Sequence, residues 1–255
     1  MLRVENLAKY FGGVKAVDGL EFEVKKGEVF GLIGPNGSGK STTVNLICGV
    51  FPQTKGSITL DGVNLTKLRP DQRVSAGVAR TFQNIRLFGD LTVWQNLWVS
   101  WRDDEDTKGS VFSNWFSLSG NRRQKIQEVL DFSSLGHRAD DLARNLSFGE
   151  QRRLELARAY ATKPKMILLD EPAAGMNSEE VQDLRKRILT LKEMGTTVLL
   201  VEHVMELVMN VTDRITVLNF GKEIAHGTPT EIQQNQKVQE AYFGSPENAG
   251  QLDHA

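Results

Sequence analysis

The segment Gly34–Thr42, with the sequence GPNGSGKST, concentrates glycines, hydroxyl residues and one lysine in nine positions. It fits the pattern G-x-x-x-x-G-K-[ST] and lies between the apolar run Val29–Ile33 and the apolar sequence VNLICGV. Glycines allow the backbone to curl, so that successive N–H groups and the start of the next helix point at phosphate oxygens. We therefore predict a phosphate-binding loop rather than a glycine-rich surface turn, formed by Gly34, Pro35, Asn36, Gly37, Ser38, Gly39, Lys40, Ser41 and Thr42.

Three side chains of this loop have specific predicted roles. Lys40 should reach the β- and γ-phosphates of a nucleotide, the Ser41 hydroxyl should ligate Mg²⁺, and Thr42 should support the phosphates nearby. Such a loop is shared by kinases, GTPases and transport ATPases. The other candidate residues of the chain have to distinguish these classes.

Two acids, Asp170 and Glu171, follow the apolar sequence MILL, which predicts a buried strand. Ligands collect at the carboxyl ends of strands in open α/β sheets, where an aspartate can hold Mg²⁺ and a second carboxylate can deprotonate water. The alternative is that the pair merely opens a loop, and the phosphate-binding loop in the same chain disfavours it. Gln83, after GVARTF, and His203, after TTVLLVE, are ambiguous alone, and His203 could equally cap the helix that follows it.

A second helix end with anion-binding character is predicted in the sequence NLSFGEQRRLELARAYA. Ser147 and Glu150 have the S-x-x-E spacing of a capping box. Gly149 is small enough for a phosphate to approach the helix N-terminus. This end lies far in sequence from the phosphate-binding loop, so one nucleotide site could use both ends if two chains face each other.

The strands and helices predicted around these residues are those of an α/β fold. The Asp61-Gly62 pair predicts a hairpin, and RITVLNFGKEIAHG predicts another. The sequences KMILLDE and TTVLLVEH predict buried strands, separated by a helix that Gly195 ends, which together make a parallel βαβ unit. Between about residues 84 and 161 helical patterns dominate, which predicts an inserted helical subdomain.

Composition limits the classes of function. The 255 residues include 31 basic and 32 acidic side chains, and the net charge of -1 gives no support for nucleic-acid binding. The single cysteine, Cys48, excludes an internal disulfide and fits a reducing compartment. The sequence shows neither an apolar run of the roughly 18 residues that span a bilayer nor a secretion signal. We expect a soluble, intracellular protein that meets a membrane only through a partner.

The sequence LSFGEQ resembles the signature of ATP-binding cassette (ABC) ATPases. The order of P-loop, glutamine, signature, ILLDEP and histidine matches that family over roughly residues 2–244. The resemblance implies an α/β fold, with a P-loop NTPase (RecA-like) core, an N-terminal antiparallel β subdomain and an inserted α-helical subdomain. It implies a single domain 1–244, with the catalytic core at about 1–83 and 162–244 and the helical subdomain at about 84–161. The polar sequence of residues 245–255 predicts a flexible tail.

The resemblance also implies ATP and Mg²⁺ as cofactors and assigns roles around them. Gln83 would touch Mg²⁺ and relay to the helical subdomain, and Asp170 would be the aspartate on the metal side. Glu171 would be the catalytic base, and His203 would be the switch histidine on the γ-phosphate. Phe11 would stack on adenine.

The signature residues would act across a dimer. Ser147 and Gly149 would close over the γ-phosphate bound by the opposite subunit, and Glu150 belongs to the same predicted nucleotide-binding segment. Phe148 and Glu150 stand where many members carry glycine and glutamine, and we expect signature function to survive both differences. Asn177, in AAGMN, replaces the usual aspartate of the D-loop, which leaves that aspartate's cross-dimer contacts without a counterpart.

Trp94, Trp98 and Trp101 follow the i, i+4, i+7 spacing of one helix face. The favoured interpretation is that they form the core of the helical subdomain. The alternative is an aromatic groove that receives a helix of a membrane subunit. The segment Ser110–Leu118 could be a second contact patch or could pack on the subdomain.

The sequences RTFQNIRLF and EPAAGMN and the end of the chain look like ATP-binding subunits of branched-chain amino acid importers. Urea and amide importers share much of this pattern, and an exporter or a lipid transporter is a further alternative. A non-transport ABC ATPase is the alternative of a different class, but the segment between P-loop and signature shows no sustained heptads. The implied partners are a second ATP-binding subunit, transmembrane permease subunits and, indirectly, a solute-binding protein, at the inner face of the plasma membrane.

Overall fold

A computed structural model of the chain describes residues 1–101 and 119–243. The predicted tail 245–255 and the segment Ser110–Leu118 lie outside the described residues. The described strands are β1 Leu2–Phe11, β2 Val14–Val24, β3 Val29–Ile33, β4 Lys55–Leu60, β5 Val63–Asn64, β6 Val78–Arg80, β7 Met166–Asp170, β8 Thr197–Val201, β9 Arg214–Asn219 and β10 Lys222–Gly227. The described α-helices are α1 Lys40–Ile47, α2 Pro70–Ala76, α3 Val93–Ser100, α4 Ser119–Ser133, α5 Phe148–Ala161, α6 Ser178–Glu193, α7 Met205–Val211, α8 Pro229–Gln233 and α9 Gln236–Phe243.

The strands form two sheets of different kinds. A four-stranded antiparallel sheet has the order β2-β1-β4-β5, and a six-stranded sheet has the order β10-β9-β3-β8-β7-β6. In the second sheet β9, β3, β8, β7 and β6 run parallel, and only β10 pairs antiparallel, with β9. All four parallel pairings align the carboxyl ends of the strands at one edge, where a phosphate-binding loop and the acids after β7 can meet.

The predicted βαβ unit and both predicted hairpins are confirmed. Strand β7 pairs parallel with β8, and α6 connects them and ends before Gly195, which has a left-handed φ of 80°. Asp61 and Gly62 join β4 to β5 with φ of 47° and 78°, as a two-residue hairpin turn requires. Glycine is favoured at such positions because it has no Cβ to clash.

Alternation along the buried strands divides the apolar side chains between the two faces of the six-stranded sheet. Phe30 and Leu32 of β3 pack in the cluster that faces the four-stranded sheet and α1. Val29 and Ile33 pack in the cluster on the opposite face, with α6, α7, α8 and α9. The central sheet is therefore covered on both sides, which explains its nearly continuous apolar strands.

Helices α3, α4 and α5 surround a third cluster of their own, which includes Leu97, Leu130 and Leu154. Trp101 is 8% exposed within this cluster, and Trp94 and Trp98 pack against it with their rings stacked at a centroid distance of 4.9 Å. The three tryptophans thus contribute to the helical core, as the favoured interpretation predicts. The limits of a helical subdomain at residues 84 and 161 stay a prediction.

Arg73, on α2, is a buried charged residue that holds the end of α1. It is 2% exposed, and its guanidinium donates to the carbonyls of Leu46 and Ile47, the last residues of α1. It also donates to the Leu68 carbonyl at 2.9 Å and to that of Thr66 at 3.3 Å. The helix that follows the phosphate-binding loop therefore ends on a buried cation, which its terminal carbonyls favour.

Replacing Arg73 by methionine should lower the free energy of unfolding by about 2–4 kcal/mol, because buried carbonyls would lose charged donors. A shift of the urea midpoint to lower concentration measures the effect. Arg69→Met is the matched control, because the Arg69 side chain is 72% exposed and pairs with Asp71, two residues along the chain. A wild-type midpoint for Arg73→Met would contradict this account.

Candidate functional site

The phosphate-binding loop runs from the end of β3 to the start of α1, as the sequence predicts. Gly34 has φ of 151°, and a Cβ there would lie 2.2 Å from the Leu218 carbonyl oxygen of β9. Gly39 has φ of 106°, and a Cβ there would lie 2.5 Å from the Ala16 carbonyl oxygen of β2. Both positions therefore exclude any side chain, on grounds of both backbone conformation and space.

Lys40 and Ser38 of this loop carry hydrogen-bond donors that a phosphate could accept from. The Lys40 ammonium donates to the carbonyls of Gly34 and Pro35 at 2.8 and 2.9 Å. Burial lowers the pKa of Lys40, and the carboxylates of Glu171 and Asp170 act in the opposite direction. The Ser38 hydroxyl is buried without a hydrogen-bond partner among the described residues. A phosphate would give these donors acceptors, so the residues fit a nucleotide.

The predicted catalytic side chains converge at the ends of β6, β7 and β8. Gln83 donates from Nε2 to Oε2 of Glu171 at 2.9 Å. The same oxygen lies 4.0 Å from Nδ1 of His203, whose side chain is 55% exposed. Glu171 itself has a left-handed φ of 48°, a strained conformation that is concentrated at functional sites. A carboxylate, an amide and an imidazole thus lie close together, as orientation of a water requires.

Asp170 lies one residue earlier, and its side chain is nearly buried. Its Oδ2 accepts from Nη2 of Arg80 at 2.8 Å. Ser41, Gln83 and Asp170 supply hydroxyl, amide and carboxylate oxygens, which are the donors that Mg²⁺ prefers. In the parts of the chain that the structure describes, no group of three or more His, Cys, Asp or Glu residues could hold a metal. The Ser41, Gln83 and Asp170 oxygens fit a Mg²⁺ that accompanies a nucleotide.

The side chain that accepts from the backbone amides before α7 is that of Glu202, and not that of His203. Glu202 is fully buried, and its Oε2 accepts from the backbone amides of His203 and Val204, while its Oε1 accepts from that of Ala173. Helix α7 begins at Met205 without a side-chain cap bond, so the expectation that His203 could cap it is wrong. Nδ1 of the His203 ring lies 3.4 Å from Oε2 of Glu202 and 4.0 Å from Oε2 of Glu171, so the imidazole lies between the two carboxylates.

The predicted capping box at α5 is confirmed in both directions. Ser147 Oγ accepts from the Glu150 amide at 3.3 Å, and Glu150 Oε2 accepts from the Ser147 amide at 2.9 Å. The Glu150 carboxylate also lies 3.3 Å from Nε of Arg138. A Cβ at Gly149 would lie 2.7 Å from a carboxylate oxygen of Glu180 on α6. Among the described residues, no hydrogen bond or ion pair joins this helix end to the phosphate-binding loop of the same chain.

Phe11, at the end of β1, is 44% exposed and meets Phe51 edge-on at a centroid distance of 5.5 Å. The ammonium of Lys9 lies 4.9 Å from its ring centroid. The β1–β2 hairpin that carries Phe11 also carries the Ala16 carbonyl against Gly39. An exposed ring on a hairpin that contacts the phosphate-binding loop can stack on a base, which is the role predicted for Phe11.

Comparison with known proteins decides the family. The family model described as ABC transporter matches residues 17–174, which include the phosphate-binding loop, the signature and the acids after β7. The chain belongs to the ABC transporter family. It is therefore an ATP-hydrolysing cassette with a P-loop NTPase core, and the sequence-based prediction of this fold class and enzyme activity is confirmed. A second model, described as branched-chain amino acid ATP-binding cassette transporter, matches residues 222–248.

Full-length relatives and solved structures agree with this assignment. The high-affinity branched-chain amino acid transport ATP-binding protein LivG of Salmonella typhimurium is 42% identical over 251 residues, or 96% of this chain and 98% of that protein. An ABC-transporter cassette in its ADP conformation has a TM-score of 0.84 at 35% identity, over 96% of this chain and 99% of that one. A dimeric post-hydrolysis cassette bound to ADP and Pi has a TM-score of 0.73 at 26% identity, over 90% and 99%.

Sequence reasoning missed three charged residues of this ABC cassette, namely Arg80, Glu202 and Arg152. Arg152 of α5 donates to the carbonyls of Phe82 and Gln83 at 3.0 and 2.6 Å. Its Nη1 also donates to Glu155, which is itself buried. Burial raises the pKa of Glu155, and the Phe82 amide and Arg152 oppose the rise. The signature helix therefore holds the backbone of the segment that carries Gln83.

Lys40→Ala should lower ATP affinity by at least about ten-fold, because a hydrogen bond to a charged group contributes about 1.5–3 kcal/mol. Equilibrium titration with a fluorescent ATP analogue measures this affinity. Lys15→Ala is the matched control, because Lys15 is 63% exposed on the β1–β2 hairpin and pairs with Asp18. Equal affinity for the Lys40 variant and the wild type would remove Lys40 from phosphate binding.

Proposed function

We propose that this chain is the ATP-binding and hydrolysing subunit of an importer of branched-chain amino acids. The observation that carries the proposal is the match of residues 222–248 to the family model named for branched-chain amino acid cassettes. The LivG relative, named for branched-chain amino acid transport, supports it because the match spans 96% of this chain. The substrate itself binds the partner subunits, so this chain supplies only the energy for uptake.

Two chains sandwich two nucleotides in the proposed mechanism. The P-loop of one chain holds the triphosphate, and Ser147 and Gly149 at the start of α5 of the facing chain close over the γ-phosphate. Each helix N-terminus favours the negative charge that lies between them. The similarity to a dimeric cassette bound to ADP and Pi supports this arrangement. The second ATP-binding subunit is either another copy or a homologous chain.

Glu171 acts as the general base in this mechanism. Its carboxylate takes a proton from the attacking water, and Gln83 and His203, which lie 2.9 and 4.0 Å from its Oε2, orient that water. Lys40 stabilises charge on the phosphates, and Phe11 stacks on adenine. Ser41, Asp170 and Gln83 hold Mg²⁺, which neutralises phosphate charge when it is bound. Most of the catalysis comes from positioning and charge stabilisation.

Transmembrane permease subunits are the proposed membrane partners. A groove of about 570 Å³ lies beside the segment that carries Gln83, and Arg86, Phe88 and Arg158 line it. Aromatic and arginine side chains of this kind are enriched where proteins bind each other. No helix in residues 1–101 or 119–243 is both long and apolar enough to cross a bilayer. As part of the proposal, we place the chain at the inner face of the plasma membrane, bound through permeases that receive solute from a binding protein.

Glu171→Gln should keep ATP binding but lose at least about 100-fold in turnover, because general base catalysis contributes about 10²–10⁴-fold. The variant should also accumulate as an ATP-bound dimer, since the shared γ-phosphate is not removed. Phosphate release and size-exclusion chromatography measure the two effects. Glu193→Gln, at the exposed end of α6, is the control and should resemble the wild type. Near-normal turnover in the Glu171→Gln variant would show that another group is the base.

Deletion of the gene in its source organism should abolish saturable uptake of labelled leucine, isoleucine and valine. The wild-type gene should restore uptake, and the gene carrying Glu171→Gln should not, because hydrolysis drives transport. Uptake of labelled urea and of a short-chain amide is measured in parallel. Unchanged leucine uptake with loss of urea or amide uptake would assign the chain to that importer class and contradict the branched-chain proposal.

A further inference from the structure

Arg80 pairs with Asp170, the last residue of β7 and the first of the two acids. It is the last residue of β6, and its backbone pairs in register with Leu168, two residues before Asp170. Side chains two apart lie on the same face of a strand, so Arg80 and Asp170 point to one side of the sheet. The guanidinium reaches Oδ2 of Asp170 at 2.8 Å from a position where its side chain is only 14% exposed.

The same guanidinium also reaches the helix of the P-loop. Nη1 of Arg80 donates to Oδ1 of Asn45 at 2.8 Å, while Nη2 donates to Asp170. Asn45 lies on α1, four residues after Ser41. One planar group therefore connects strand β6, strand β7 and the helix that carries the predicted Mg²⁺ hydroxyl. Because a guanidinium presents its donors in a rigid fork, the hydrogen bonds to Asn45 and Asp170 fix the relative position of these two partners.

The contact with Arg80 constrains which oxygen of Asp170 can face a ligand. Arg80 engages Oδ2, and the hydrogen bonds of the described residues leave Oδ1 unengaged. The Asp170 side chain is 8% exposed, and a carboxylate in such a place needs a partner to remain charged and fixed. Side chains that hydrogen-bond to a metal ligand orient that ligand and change the affinity of the site for the metal.

We propose that Arg80 is a positioning residue that fixes the Asp170 carboxylate relative to α1 and thereby sets the affinity for the metal that accompanies the nucleotide. This inference rests on the proposed metal-side role of Asp170. Among the described residues, no hydrogen bond joins Arg80 to Lys40 or Ser38, so we assign Arg80 to the metal contribution rather than to the phosphate contacts of the P-loop.

The test measures how much the metal adds to nucleotide affinity. In the Glu171→Gln background, which keeps ATP intact, calorimetric titration gives the ATP dissociation constant once with EDTA and once with Mg²⁺. The ratio of the two constants is the metal contribution. Arg80→Met should reduce this ratio by about ten-fold or more, as loss of an orienting group does for metal sites. The dissociation constant in EDTA should keep its wild-type value.

Three further variants separate the possible reasons for a change. Arg69→Met is the control for loss of a surface arginine, because the Arg69 side chain is 72% exposed and pairs with Asp71. It should keep the full ratio. Arg80→Lys retains the charge but not the fork, so it should give an intermediate ratio. Asp170→Asn should lose the metal contribution, because it removes the charge from the ligand itself.

The outcomes distinguish this inference from the proposed function. If Asp170→Asn loses the metal contribution and Arg80→Met retains it, the role of Arg80 is overturned while the metal site stands. If Arg80→Met weakens binding equally in EDTA and Mg²⁺, Arg80 is merely structural and the inference is also overturned. If the parent chain shows no metal contribution, or Asp170→Asn keeps it, the proposed role of Asp170 fails and the inference fails with it.

Discussion

The absence of side chains at Gly34 and Gly39 is the constraint on which the nucleotide site depends. At these two positions the P-loop backbone packs against carbonyl oxygens of β9 and β2, with no room for a methyl group. Further backbone bonds complete the contact: the Gly221 amide donates to the Ser38 carbonyl at 2.9 Å, and the Asp18 amide donates to the Gly221 carbonyl at 2.8 Å. The loop is thus shaped by contacts with two hairpins from distant parts of the chain.

Buried charges behind the site are each paired with a group from another part of the chain. Arg80 pairs with Asp170, Arg152 donates to the carbonyls of Phe82 and Gln83, and Glu202 accepts from three backbone amides. Burial of an unpaired charge is costly, so each pairing restricts where its two segments can lie. The carboxyl edge of the sheet is held by these contacts, while Glu171 and His203 remain accessible for chemistry.

Short sequence patterns predicted the features of this structure that depend on a few adjacent residues. The P-loop, the capping box at Ser147 and the Asp61-Gly62 hairpin each depend on a few adjacent residues, and each was predictable from sequence. Arg80 and Arg152 were not, because their partners are 90 and about 70 residues away and no spacing marks them. His203 was predicted to be able to cap α7, but the neighbouring Glu202 is fully buried and takes the backbone amides instead. Tertiary contacts decided these cases.

The bonds from Arg152 go to main-chain oxygens at positions 82 and 83, and not to the side chains there. A restraint of this type does not depend on which amino acid occupies those two positions. The amide of Gln83 can therefore change in the course of evolution without loss of the path that the chain follows around it. At this point of the cassette the side chain of residue 83 determines the chemistry, and the backbone carbonyls of residues 82 and 83 determine the position of the segment. Either can therefore change while the other is kept.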